Sequence, residues 1–210
     1  MKDELVFSID PGLVNVGVCL YNATQDTIVY ANKVQLTPSM KEMKTEAEII
    51  PRVYKLFFQG PLKEMIDKAS IVLVEKQMKR KFYLVQYVIG AVCFHEAKEY
   101  RFVCPRSVKT HFKSGKLSRK ISGTSVKGSK KNHTENKKTA VELATKLFPA
   151  FMQKVTAAKR DDVADAVLQA KWYADAQRAA KAKAAAAKAK ADEKAAGTKK
   201  RALTSTKRKC

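Results

Sequence analysis

The chain predicts an α/β fold built on a mixed sheet, and three observations predict it. Apolar runs at residues 5–10, 15–21 and 28–36 follow one another, separated by Pro11-Gly12 and by the stretch from Asn22 to Asp26. A fourth run, IVLVE at 71–75, is continuously apolar and suits a strand buried on both faces. Helix-like segments lie between and after these runs. Three N-terminal strands in a meander, then parallel strands, flanked by helices, satisfy all three observations.

The elements follow in order. The first run ends on Asp10 and turns through Pro11 and Gly12, good turn chemistry, before the chain resumes as strand. Residues 40–68 read as helix, with interruptions expected near Pro51 and near Gly60-Pro61. The 71–75 strand ends on Glu75. Residues 81–98 read as a helix that is apolar nearly all round, through Phe82, Leu84, Val85, Val88, Ile89 and Val92. A short strand from Arg101 to Cys104 leads into PRSVK at 105–109. From Lys113 the composition shifts to Lys, Ser and Gly without periodicity, which predicts a mobile basic loop over 113–135. Helix returns at 135–148 and again from Asp161 through Tyr173. Beyond Ala176 alanine and lysine favour helix, but no apolar stripe exists to dock it. The expected organisation is therefore a domain over 1–175 and a solvated basic tail over 176–210.

The 210 residues carry 42 Lys and Arg against 20 Asp and Glu, a net charge of +22. The tail holds twelve basic residues and two acids, so +10 lies there and +12 on the body. Such a balance points to a polyanionic partner, most simply nucleic acid, rather than to a neutral metabolic substrate. No apolar run approaches the roughly 18 residues of a membrane span. Met1-Lys2-Asp3-Glu4 lacks the apolar segment of a signal peptide. Cys19, Cys93, Cys104 and Cys210 are scattered, three of them in apolar surroundings, with no CxxC clip. They read as buried free thiols of an intracellular, reducing compartment, not of a secreted chain.

Two apolar strands that each end on an acid are unusual. Asp10 alone is equally well a turn residue, and Glu75 alone a solvated strand end. KRDDVADAV at 159–167 adds a third element, with Asp162 and Asp165 at i, i+3 on one helix face. Helix capping accounts for Asp161 but poorly for Asp165. Like charges at that spacing cost stability unless a cation lies between them, which points to a metal site. Oxygen ligands suit hard ions such as Mg²⁺, with Mn²⁺ a natural substitute. Two such ions clamp the attacking and leaving oxygens of a phosphodiester. His95, His111 and His133 have no ligand spacing, and no GxSxG nucleophile motif is present.

Strand–DPGxxNxG–strand, then VLVEKQ, then a helix bearing DDVAD resembles the RuvC-like Holliday junction resolvases of the RNase H-like superfamily. The likeness is nearest to the resolvases of large DNA viruses (poxvirus type) and of fungal mitochondria. It covers roughly residues 5–175, including PRSVK and a lysine opening the helix near 137. The resemblance implies an RNase H-like fold and four metal-binding acids, which by motif fall on Asp10, Glu75, Asp162 and Asp165. It also implies basic residues at the scissile phosphate or DNA backbone, Lys109 and Lys137, with Lys138 an adjacent candidate for the second. The 113–135 loop and the tail have no counterpart in the pattern. The implied activity is a metal-dependent endodeoxyribonuclease, a crossover junction endonuclease making paired nicks in four-way DNA junctions during recombination or repair. Its place would be a nucleus or a viral replication site. Gly12 and Gly17 would either let backbone approach the phosphate or serve tight turns.

Further DNA contacts are expected from Lys76, Lys79, Arg80 and Lys81, which follow Glu75, and from Arg106. Tyr83 is the candidate for stacking on an exposed base, and Phe82 reads as core or wedge. The 81–98 helix needs partners on every face, which a two-fold homodimer would supply, although burial within the domain competes. Two other functions fit less of the pattern: another RNase H-like nuclease acting on hybrids or branched DNA, and a non-enzymatic basic DNA-binding protein.

Overall fold

The computed structural model describes residues 3–39, 45–78, 80–112 and 130–206, with side chains described except at 46, 80, 130–134 and beyond 191. Five strands form one sheet: β1 (Leu5–Asp10), β2 (Asn15–Asn22), β3 (Thr27–Gln35), β4 (Ile71–Glu75) and β5 (Tyr100–Val103). The order is β3-β2-β1-β4-β5. β1 pairs antiparallel with β2, and β2 with β3, while β4 runs parallel to both β1 and β5. The expected mixed sheet, a meander followed by parallel strands, is therefore present.

Period-two alternation sorts the side chains onto two faces. Phe7 and Ile9 of β1, Val16, Val18 and Leu20 of β2, and Val72 and Val74 of β4 pack into one core cluster. Helices α1 (Glu46–Phe58) and α3 (Arg80–His95) cover that face through Ile49, Val53 and Phe57 and through Val85, Ile89 and Cys93. The alternate positions, Ser8 and Gly17 among them, meet the helix α7 (Arg160–Thr206), which buries Val163, Ala164, Ala166 and Val167. Between these lie α2 (Lys63–Lys68), α4 (Pro105–His111), α5 (Lys130–Leu147), α6 (Pro149–Met152) and a 3₁₀ turn (Ala157–Lys159).

Several expectations need correction. Pro51 lies inside α1 rather than interrupting it. Ile49, Val53 and Phe57, spaced i, i+4, i+8 and fully buried, anchor the helix on both sides of the proline. Tertiary packing outweighs the local cost of one lost hydrogen bond. The break at Gly60-Pro61 does occur, between α1 and α2. Helix α5 starts at Lys130, five residues before the predicted start. The remainder of the expected loop, 113–129, lies outside the described residues, as does Lys79. Cys19 and Cys93 are buried free thiols, but Cys104 is exposed just before α4. Among the described residues no helix is long and apolar enough to cross a membrane.

Two compact units divide the chain, Met1–Trp172 and Tyr173–Cys210. The first holds the sheet and every residue of the site below. In the second, Gln177 Nε2 donates to Tyr173 Oη at 2.8 Å, Arg178 pairs with Asp175 at 3.1 Å, and residues 178–191 are exposed.

Candidate active site

Asp10 and Glu75 end adjacent parallel strands, with Ile9 paired to Val74 one step before the acids. Alternation turns both toward the α7 face, away from the α1–α3 core. Asp162 and Asp165 project from the first turns of α7. Lys109 comes from α4 and Lys137 from α5. All six line one cavity of about 310 Å³, together with Asn15, Gln77, Phe82 and Asn136. Residues scattered over 155 positions of sequence thus meet at one place.

The electrostatics are those of crowded acids. Burial, followed by repulsion from Glu75, Asp165 and Asp162, raises the Asp10 carboxyl well above its ordinary range. Burial and the Asp165 charge push Glu75 up to about 7, against the pull of Lys109. Asp10 and Glu75 share a hydrogen bond, with the proton favoured on Asp10. Burial likewise pushes Asp165 up to about 6, although Lys109 and Lys137 oppose it. Gln77 Nε2 donates to Asp10 Oδ1 at 3.4 Å, and the buried Gln86 accepts from the Gln77 backbone at 2.8 Å, so α3 holds the loop beside Asp10.

Asp161 and Asp162 are instead paired with lysines. Lys137 Nζ lies 2.6 Å from Asp161 Oδ2 and 3.9 Å from Asp162 Oδ1. Lys33 Nζ lies 2.9 Å from Asp162 Oδ2. Burial works against the Asp161 charge, but Lys137 outweighs it and holds that carboxyl below the usual range. Asp161 is therefore the partner of Lys137 and more than a helix-terminus acid. Among the described residues the acids do not close into a ready cluster of three metal ligands. The donor set nevertheless fits a hard divalent cation: it is all oxygen, and three of its four carboxyls are raised by burial and mutual repulsion that a cation would relieve.

The remaining expected residues divide. Lys138, one position from Lys137, faces an adjoining open groove with Lys33 and Arg160 instead of the cavity. Lys76 and Arg106 are exposed beside the site, and Lys81 is half-buried. Arg80 opens α3. Tyr83 stacks on Tyr87, ring centroids 6.0 Å apart, rather than standing free for a base. Phe82 both packs on the core and lines the cavity. Gly12 serves a tight turn, since a Cβ there would meet the Asn15 carbonyl oxygen at 2.0 Å. At Gly17 the close neighbour is protein: a Cβ would stand 2.1 Å from the Asp162 carbonyl oxygen, so this glycine admits α7 and not a phosphate. Sequence reasoning missed Lys33, Gln77 and Gln86. Gln77 was visible in VLVEKQ, whereas Lys33 is legible only once β3 is in register with β2.

No family model and no curated protein matches the chain. Among solved structures, Thermus thermophilus RuvC in complex with Holliday junction substrate is similar at 15% identity and a TM-score of 0.45, over 82% of this chain and 95% of that one. A second Thermus thermophilus RuvC structure aligns at 17% identity and a TM-score of 0.44, over 82% and 96%. The chain has a mixed α/β fold, with a five-stranded sheet flanked by helices.

Proposed function

We propose that the chain is a metal-dependent endodeoxyribonuclease that resolves four-way DNA junctions, akin to the large-DNA-virus and fungal mitochondrial resolvases. The observation that carries this reading is the convergence of Asp10, Glu75, Asp162 and Asp165 with Lys109 and Lys137 on one cavity. The four acids would hold Mg²⁺ or Mn²⁺. Bound there, such ions supply charge stabilisation and water activation for phosphodiester hydrolysis. The ammonium groups of Lys109 and Lys137 face the same space and neutralise the phosphate as negative charge grows on it. Gln77 orients Asp10. The surrounding Lys76, Lys81, Arg106 and Lys138, with the net charge of +22, supply affinity for the DNA backbone.

Cutting two opposed strands requires two sites, and a homodimer provides them. Support comes from α3, where Tyr83, Tyr87 and Phe94 lie along one side; Tyr87 is 55% and Phe94 77% exposed. The reading places the protein at a site of replication or recombination in a reducing compartment.

The test is incubation with a synthetic four-way junction, a linear duplex and an RNA–DNA hybrid, each with Mg²⁺ or with EDTA. Junction-selective, Mg²⁺-dependent cleavage is expected. Preferential cutting of the hybrid would move the assignment to another RNase H-like nuclease. Binding without cleavage under any metal would leave a DNA-binding protein.

A further inference from the structure

Lys33 has no part in the roles assigned above, yet it lies in the same cross-strand row as the site. Lys33 of β3 pairs with Gly17 of β2, and Gly17 with Asp10 of β1. Gly17 leaves a gap in that row, and the Asp162 backbone fills it. The first turn of α7 therefore rests directly on the sheet between Lys33 and Asp10. Lys33 closes over it from the β3 side, its Nζ 2.9 Å from Asp162 Oδ2 and donating to the Ala158 carbonyl at 3.0 Å. Lys159 Nζ returns the clasp by donating to Asn32 Oδ1 at 3.1 Å. Both members of the Lys33–Asp162 pair are about four-fifths buried, at 22% and 20% exposure, so the contact is sheltered from solvent. The other carboxylate oxygen, Oδ1, is left on the Lys137 side, 3.9 Å from that ammonium.

We propose that Lys33 is a positioning residue for the metal-binding carboxylates: by holding one oxygen of Asp162 it presents the other to the cavity. This rests on the nuclease reading above. A carboxylate that must choose its rotamer on binding an ion loses affinity, whereas one held by an outer partner does not. Loss of such outer partners typically weakens metal binding about 10–100-fold. Lys33 does this from an edge strand, and Gly17 makes it possible, because any side chain there would lift Asp162 out of its reach.

The test measures Mn²⁺ binding to the full chain by calorimetry and by electron paramagnetic resonance, with Asp10→Asn locating the site. Lys33→Met is expected to bind Mn²⁺ about 10–100-fold more weakly, and Lys33→Arg to recover most of the loss. Circular dichroism melts check folding. Lys33→Gln, which keeps a donor for the Ala158 carbonyl, replaces the methionine variant if that one unfolds. Unchanged affinity in a folded, charge-free variant overturns the proposal. Tighter binding overturns it too, because Lys33 would then compete with the ion for Asp162. A wild-type chain that binds no Mn²⁺ at the Asp10 site overturns the nuclease reading along with it, whereas wild-type binding with an unaffected Lys33→Met overturns only the role of Lys33.

Discussion

At the scale of single residues, the cavity acids carry the sharpest predictions. Asp10→Asn, Glu75→Gln, Asp162→Asn and Asp165→Asn should each lower junction cleavage by at least the 10²–10³-fold that loss of one charge-stabilising group commonly costs. DNA binding should persist or tighten, since the phosphate contacts come from lysines and a negative charge has gone. Asp161→Asn is the comparison. It loses only a partly exposed ion pair to Lys137, so stability should fall by less than about 1 kcal/mol and most cleavage should remain. An inactive Asp161→Asn beside an active Asp162→Asn would move the ligand by one position. Cleavage kinetics and gel-shift titrations on the five variants decide it.

The raised carboxyls also predict a pH dependence. Glu75 holds its proton up to about 7 in the folded chain, against 4.5 for a free glutamate. Between those values the folded state binds more protons than the unfolded, so stability falls as pH rises through the window. Asp10 and Asp165, raised by the same causes, act in the same direction. Urea unfolding in EDTA should therefore give a steeper loss from pH 5 to 7.5 for the wild type than for Glu75→Gln. Added Mg²⁺ should flatten the wild-type curve, because a bound cation favours the charged carboxylates. Parallel curves for the two proteins would contradict the assigned repulsion.

At the scale of elements, α3 does two jobs. One side enters the core through Val85, Ile89 and Cys93. Gly90 lets the helix close on β5, since a Cβ there would meet the Phe102 ring at 2.8 Å. The opposite side leaves Tyr87 and Phe94 in solvent. An apolar surplus on 81–98 was legible from composition, but which residues form it depended on which stripe the sheet took. Phe94→Glu tests the surplus as a dimer surface. Sedimentation should show at least a tenfold weaker association, as loss of an aromatic anchor at an interface produces, while the melting temperature of the subunit barely moves. In a cruciform plasmid the variant should yield nicked circles in place of linear product. A dimer unaffected by Phe94→Glu would place the interface elsewhere.

At the scale of the whole molecule, charge and fold separate. The sheet and the six cavity residues belong to the unit Met1–Trp172, whereas residues 176–210 carry +10 of the net charge. Removing 176–210 should weaken DNA binding and make it less salt-dependent, because fewer counterions are released per complex. Mg²⁺-dependent cutting and preference for the junction should persist. Salt titrations of binding measure the slope, and loss of cleavage in the shortened chain would show that the tail belongs to the catalytic unit.

The sequence by itself determined the strands and where their acids fall. Alternation, turn residues and continuous apolar runs are local signals, so β1 to β5, the acids ending β1 and β4, and the Asp162–Asp165 helix face were all readable without coordinates. Long-range packing decided the rest. Pro51 stays helical because buried neighbours four residues apart hold it. Lys137 reaches the cavity as well as the groove, and Lys138 the groove alone, because α5 presents successive residues to different sides. Lys33 joins the site only through the register that sets it opposite Gly17. Each of these depends on packing or register between separate elements, and no local pattern encodes which elements meet.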